Sequence, residues 1–193
     1  MKLRNTPEAY GAVAVTLHWL IALAVLTMLG VGFYMDWLPK GDPLVYPLFQ
    51  FHKSLGLSIL VLVVLRLLWR ISNPTPALPA HMPRWERFAA SATHYGFYAA
   101  LLLLPLSGWV MVSASPYNIP TLYFGLFEWP HLGFVTQSPD KALYEDIAHE
   151  VHEILVWAAL ALIGLHAAAA LRHHYMLKDT VLTRMAPWMR RPS

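Results

Sequence analysis

Four long apolar runs, set apart by polar and proline-rich stretches, dominate the pattern of hydrophobic and polar positions in this chain. The first, VAVTLHWLIALAVLTMLGVGFYM at about 13–35, is too long for the apolar region of a signal peptide, and no small-x-small cleavage pattern follows it. It reads as a retained membrane span. A loop with three prolines, DWLPKGDPLVYPLFQF, leads to the second run at about 52–71. The connector SNPTPALPAHMPRWER is too proline-broken to be helical, and it precedes the third run at about 88–113. Pro105 inside that run predicts a kink, which membrane helices tolerate because neighbours re-satisfy the backbone. An aromatic, proline-rich loop over about 114–143 is expected to lie along the membrane surface, and the fourth run covers about 148–175. Each run is long enough to cross a bilayer. The pattern predicts an all-α integral membrane four-helix bundle, a single domain over 1–193.

Composition points the same way. The 193 residues are 57% hydrophobic and 13% charged, against about 25% charged in a typical soluble domain. The absence of cysteine excludes disulfides, thiolate-held iron–sulfur clusters and a covalently attached haem. No glycine-rich phosphate loop is present and no stretch suits nucleic-acid readout, so the expected surroundings are lipid. Charge sets the orientation. One side of the four runs carries eleven Lys and Arg residues (Lys2, Arg4, Arg66, Arg70, Arg84, Arg87, Arg172, Lys178, Arg184, Arg190, Arg191), and the other carries three (Lys40, Lys53, Lys141). Positive residues stay inside, so both termini of this multi-pass protein are expected in the cytoplasm. Most carboxylates fall on the outer side: Asp36, Asp42, Glu128, Asp140, Glu145, Asp146, Glu150 and Glu153.

The chain has ten histidines, several of them inside apolar runs, where an ionisable group is expensive and usually functional. Orientation assigns each a depth. His52 and His149 or His152 belong to the outer level; His18, His94 and His166 belong to the cytoplasmic level. His152 and His166 are fourteen residues apart, which returns them to nearly the same helix face, about 21 Å apart along the axis. His149 is about 100° out of that phase, so His152 is the better outer candidate. Two neutral imidazoles from different helices at each of two depths suit two low-spin b haems. At the cytoplasmic level His94 remains an alternative to His18, or a hydrogen-bonding partner of a propionate or quinone. Small residues beside the candidates (Gly56, Gly164, Ala167 to Ala170) suit a flat ring, although they equally suit close helix packing. His173 and His174 are expected to snorkel at a helix end. His81 and His131 read as loop residues, and the tryptophans near the span ends as an aromatic belt.

The strings TLHWL, FQFHKSLG with LRLLWR and NPTP, and AHEVHEILVWAALALIGLHAAAALRHHYMLKDTVLTRM resemble the prokaryotic cytochrome b561 family, over about His18 to Met185. Within it they are similar to a four-helix, di-haem superoxide:ubiquinone oxidoreductase. The resemblance implies haem iron ligands at His18 and His166 on the cytoplasmic side and at His52 and His152 on the outer side. It also implies two non-covalent b haems, with ubiquinone as electron acceptor and superoxide as donor. An acidic outer face is a poor funnel for an anion, and Lys53, beside an outer ligand, is the local cation that offsets it. Lys53 and Arg66 are candidates for the substrate or haem-propionate environment; Arg66 and Arg70 also read simply as marking the cytoplasmic end of their span, the preferred reading for Arg70. Two alternatives stand beside this reading. One is an electron-conduit subunit serving a dehydrogenase or hydrogenase partner. The other is a haem-free membrane protein whose histidines bind a metal or relay protons.

Overall fold

The structure is a computed structural model that describes residues 1–79 and 82–189; His81, Arg190 and Arg191 lie outside the described residues. It is an all-α membrane protein with four long apolar helices: α1 (Ala12–Trp37), α2 (Val45–Ile71), α3 (Arg84–Ala114) and α5 (Lys141–Tyr175). Between α3 and α5 lie a small hairpin, β1 (Thr121–Tyr123) with β2 (Phe127–Trp129), and the short α4 (Gly133–Thr136). Large side chains such as Leu23, Leu65, Phe88 and Leu165 stay exposed, whereas Ala14, Val63, Ala100 and Ala159 are buried. Lipid tails are as apolar as leucine, so such helices gain by bringing backbones together over small residues rather than by hiding large ones.

Three helices start earlier than the apolar runs do, and the reason is local chemistry. The second run begins at 52, but α2 starts at Val45, where Asp42 accepts from the Leu44 N–H with its side chain (2.8 Å) and from the Val45 N–H with its carbonyl (3.0 Å). Pro47 then falls in the first turn, where its missing N–H is harmless. The connector was expected to be non-helical through Arg87, yet α3 begins at Arg84, after Pro83 and with Glu86 in its first turn. The fourth run was expected from 148, but α5 starts at Lys141. Its first seven residues, KALYEDI, include the good helix formers Lys, Ala, Leu and Glu in a stretch that a hydrophobic window passes over. Pro105 sits inside a continuous α3.

The described chain divides into two compact units, each built from parts of all four long helices. Unit 1 comprises Met1–Ile21, Leu62–Ala99 and Ala158–Ser193. Here the polar lead, the connector and the tail are tied together: Asn5 Nδ2 donates to Pro74 O (3.0 Å), Trp19 Nε1 to Met185 O (2.7 Å) and Arg184 to Ala77 O. His173 and His174 do not snorkel; both are buried. His173 Nδ1 meets Asp179 Oδ2 at 2.5 Å, because the chain after Tyr175 folds back and brings a carboxylate to the helix end.

Unit 2 comprises Ala22–Val61 and Ala100–Trp157. Its loop is folded, not irregular. Leu126 N donates to Tyr123 O (2.9 Å), closing a turn whose central residues, Phe124 and Gly125, have φ of 46° and 74°. The hairpin docks on α2 through polar side chains. Gln50 Nε2 and Lys53 Nζ both donate to Pro120 O at 2.8 Å, Gln50 Oε1 accepts from Leu122 N, and Ser54 Oγ accepts from Phe124 N. Trp109 Nε1 and Ser113 Oγ hold the far end of the loop at Pro130 O and Leu132 N.

Candidate haem sites

In unit 2, His52 of α2 and His152 of α5 face each other with ring centroids 6.5 Å apart. A metal about 2 Å from one nitrogen of each imidazole puts the centroids about 6 Å apart, so an iron fits between them. The neighbouring helices leave room. A Cβ on Gly32 of α1 would lie 3.6 Å from His52 Cε1, and one on Gly108 of α3 would lie 3.5 Å from His152 Cε1, so each glycine stands directly against a ring.

The surroundings of Nδ1 favour one tautomer. Ser107 Oγ, which donates to Leu104 O (2.9 Å), lies 3.0 Å from His152 Nδ1, and Leu104 O is itself an acceptor for the His152 ring, so a hydrogen on Nδ1 is well placed between two acceptors. Nε2 of His152 is then left with a free lone pair, the state a metal-bound imidazole needs, with its other nitrogen held by a hydrogen-bond acceptor. His52 Nδ1 is buried without a hydrogen-bond partner among the described residues. These features fit a b haem. His149 is exposed, on another face of α5.

In unit 1, His18 of α1 and His166 of α5 have centroids 6.1 Å apart, again spaced for an iron. His94 of α3 lies 5.8 Å from His166, and Phe97 packs edge-on against the same ring at 5.4 Å. His166 therefore has two imidazole neighbours. The charge of Arg66 on α2 acts on all three rings, and the Arg70 guanidinium lies 5.8 Å from the centre of the Tyr98 ring.

Lys53 is buried; besides its bond to Pro120 O, its ammonium lies 4.8 Å from the centre of the Phe49 ring. His131 is half-buried in the loop, where burial and then the Lys53 ammonium hold its imidazole below the usual histidine range against the pull of Glu128. Among the described residues, no group of three or more His, Cys, Asp or Glu side chains is arranged to hold a metal ion directly.

The residues that sequence reasoning missed are Gly32 and Gly108. Of the small residues it singled out, Gly164 has open space in front of it and Gly56 faces Met28. The overlooked signal is one of spacing. His18 and Gly32, His52 and Arg66, His94 and Gly108, and His152 and His166 are each fourteen residues apart on one span. Every long helix thus presents two positions on nearly one face. His, Gly and His, Gly make the layer of unit 2; three histidines and an arginine make the layer of unit 1.

Paired imidazoles from different spans, in a helical membrane protein without cysteine, are what a membrane cytochrome of the non-covalent b type needs. Sequence comparison names the group. The family described as prokaryotic cytochrome b561 matches residues 9–188, and the chain belongs to that family. Its relatives include "Cytochrome b561 homolog 2" of Escherichia coli (strain K12), 34% identical over 186 residues, covering 96% of this chain and 95% of the relative. "Cytochrome b561 homolog 1" of the same organism is 33% identical over 174 residues, covering 89% and 93%. "Probable superoxide oxidase CybB" of Yersinia pestis is 30% identical over 193 residues, covering 93% and 97%. The protein is therefore a b-haem, multi-pass electron-transfer protein of the bacterial inner membrane, in a family that interacts with quinones.

Proposed function

We propose that residues 1–193 form one cytochrome b domain that carries electrons between a donor at the outer face and membrane ubiquinone. Two b haems serve it, one on His52 and His152 and the other on His18 and His166, with both termini in the cytoplasm. The observation that carries this reading is the pair of facing imidazole sets, at 6.5 Å and 6.1 Å, each contributed by two spans. A bound b haem supplies reversible one-electron carriage. The chain supplies the rest: axial nitrogens, the Ser107 contact at His152 Nδ1, and a hairpin that covers the outer end of α2. Superoxide is the donor we favour, on the printed name of the Yersinia relative. Two superoxide anions each give up one electron and leave as dioxygen; one ubiquinone takes both electrons and two protons to become ubiquinol.

A reduced-minus-oxidised spectrum with a haem count by pyridine haemochrome tests the carrier: two low-spin b haems per chain are expected, and none would discard the reading. Superoxide-driven ubiquinone reduction by the purified protein tests the donor. A second reading, with a protein as donor, is favoured by the exposed carboxylates Asp36, Glu128, Asp140, Asp146, Glu150 and Glu153, which repel an anion and suit a basic docking surface. The two readings differ in salt dependence. Screening an acidic face speeds approach of superoxide but slows approach of a basic partner.

A further inference from the structure

Arg66 is half-buried, five residues before the end of α2 at Ile71, on the nearly common face that it shares with His52. A cation at such a position in a membrane span is normally paired. Among the described residues, no carboxylate pairs with it: Glu86 is taken by Arg172 (3.0 Å) and Asp179 by His173. The imidazoles of His18, His94 and His166 lie within reach of its charge, and they offer no negative charge. Arg70 lies one turn further along, on the same side of α2. Among the described residues, the layer of unit 1 thus has cationic guanidinium and no anion of its own.

A b haem brings two carboxylates, its propionates. We propose that Arg66, supported by Arg70, is the anion-binding position of the unit 1 layer and pairs with a carboxylate of the haem held by His18 and His166. The inference rests on the haem reading above and deepens it. It also accounts for the difference between the layers at the α2 position. At the other layer that position is the ligand His52; here the ligands come from other spans and α2 is left to hold the acidic edge. Planar guanidinium is suited to carboxylate through two parallel hydrogen bonds, which a lysine does not reproduce.

The test is a cycle between the arginine and the carboxylate, read as haem loss. Full-length apoprotein, wild type and Arg66→Gln, is reconstituted with haem b or with its dimethyl ester, and transfer of haem to an excess of scavenger is followed optically. For native haem, Arg66→Gln is expected to speed loss of one of the two haems on the order of ten- to a hundredfold, as for a lost charge-assisted hydrogen bond. The ester haem should leave wild type and variant at equal rates, since the partner group is already blocked. Acceleration of ester loss as large as that of native haem would overturn the proposal, because the arginine would then act without the carboxylate. Unchanged loss of native haem would overturn it too. Should Arg66→Gln not fold, Arg66→Lys carries the same comparison with a smaller expected effect. A wild type that takes up no haem would overturn the haem reading and this proposal together. A two-haem wild type indifferent to Arg66 overturns this proposal alone.

Discussion

Ser107→Ala isolates how one haem ligand is held. In the folded protein the Ser107 hydroxyl donates to Leu104 O and lies 3.0 Å from His152 Nδ1, and the serine is only 8% exposed. Alanine removes one of the two acceptors beside the His152 ring, Leu104 O being the other, so what is lost is one hydrogen bond, about 0.5–1.5 kcal/mol. Part of that cost falls on the ligand's orientation and basicity, and loss of such a partner typically weakens metal binding about 10–100-fold. The expectation is that the haem between His52 and His152 leaves about ten times faster or more, while the haem between His18 and His166 is unaffected. Ser107→Thr keeps the oxygen, and its extra methyl group has space in a cavity of about 270 Å³ beside Leu103, Val110 and Ile147, so it should behave as wild type. The assay is haem transfer to a scavenger, with the two haems resolved by their alpha bands. Equal loss rates in wild type and Ser107→Ala would refute the role of Ser107 in holding His152 as a haem ligand.

Three further outcomes follow from the same geometry. His152→Ala should lose one haem while His149→Ala keeps both, because His149 is exposed on another face; a haem count on each purified variant decides it. Gly108→Leu should likewise cost one haem and not the other, since even a Cβ there would lie 3.5 Å from His152 Cε1 and the leucine branches reach further. Lys53→Met should release the 114–140 loop, because its ammonium is bound at 2.8 Å to Pro120 O. Faster cleavage of that loop by a protease in detergent, with the haem count unchanged, is the expected sign.

The four spans were legible because crossing a bilayer demands long apolar runs, and no other chain feature imitates them. Their ends were not, because a helix outlives its apolar stretch. The turns KALYEDI before the fourth run and VYPLFQF before the second are held by helix propensity and by Asp42, which a hydrophobic window cannot register. The hairpin was hidden for a different reason. Its turn places Phe124 at positive φ, where asparagine or glycine is the usual signal, and the conformation is sustained by Ser54 Oγ accepting from the Phe124 N–H. His173 was misread because the residue that binds it, Asp179, lies six positions beyond it in a tail with no periodic pattern.

The fourteen-residue spacing carries the deeper lesson, since it was noticed on one span and is present on four. On α1 and α3 the second position is a glycine, which carries no side-chain chemistry to notice and stands directly against a histidine ring. The same logic bears on His94, which stands on α3 where the other layer has Gly108. If the layers were built alike, α3 would yield space at both depths. Instead it offers an imidazole 5.8 Å from His166, while His18 offers another at 6.1 Å. An iron with His166 on one side accepts a single partner on the other, so the two rings compete for one coordination site. Single substitutions separate them. His18→Ala is expected to abolish the low-spin spectrum of one haem or convert it to high spin, and His94→Ala to leave both spectra low-spin. The reverse outcome would assign the ligand to α3 and make His18 the neighbour. Retention of both low-spin spectra in each single variant, with loss only in the double, would show that α1 and α3 can each supply the axial nitrogen.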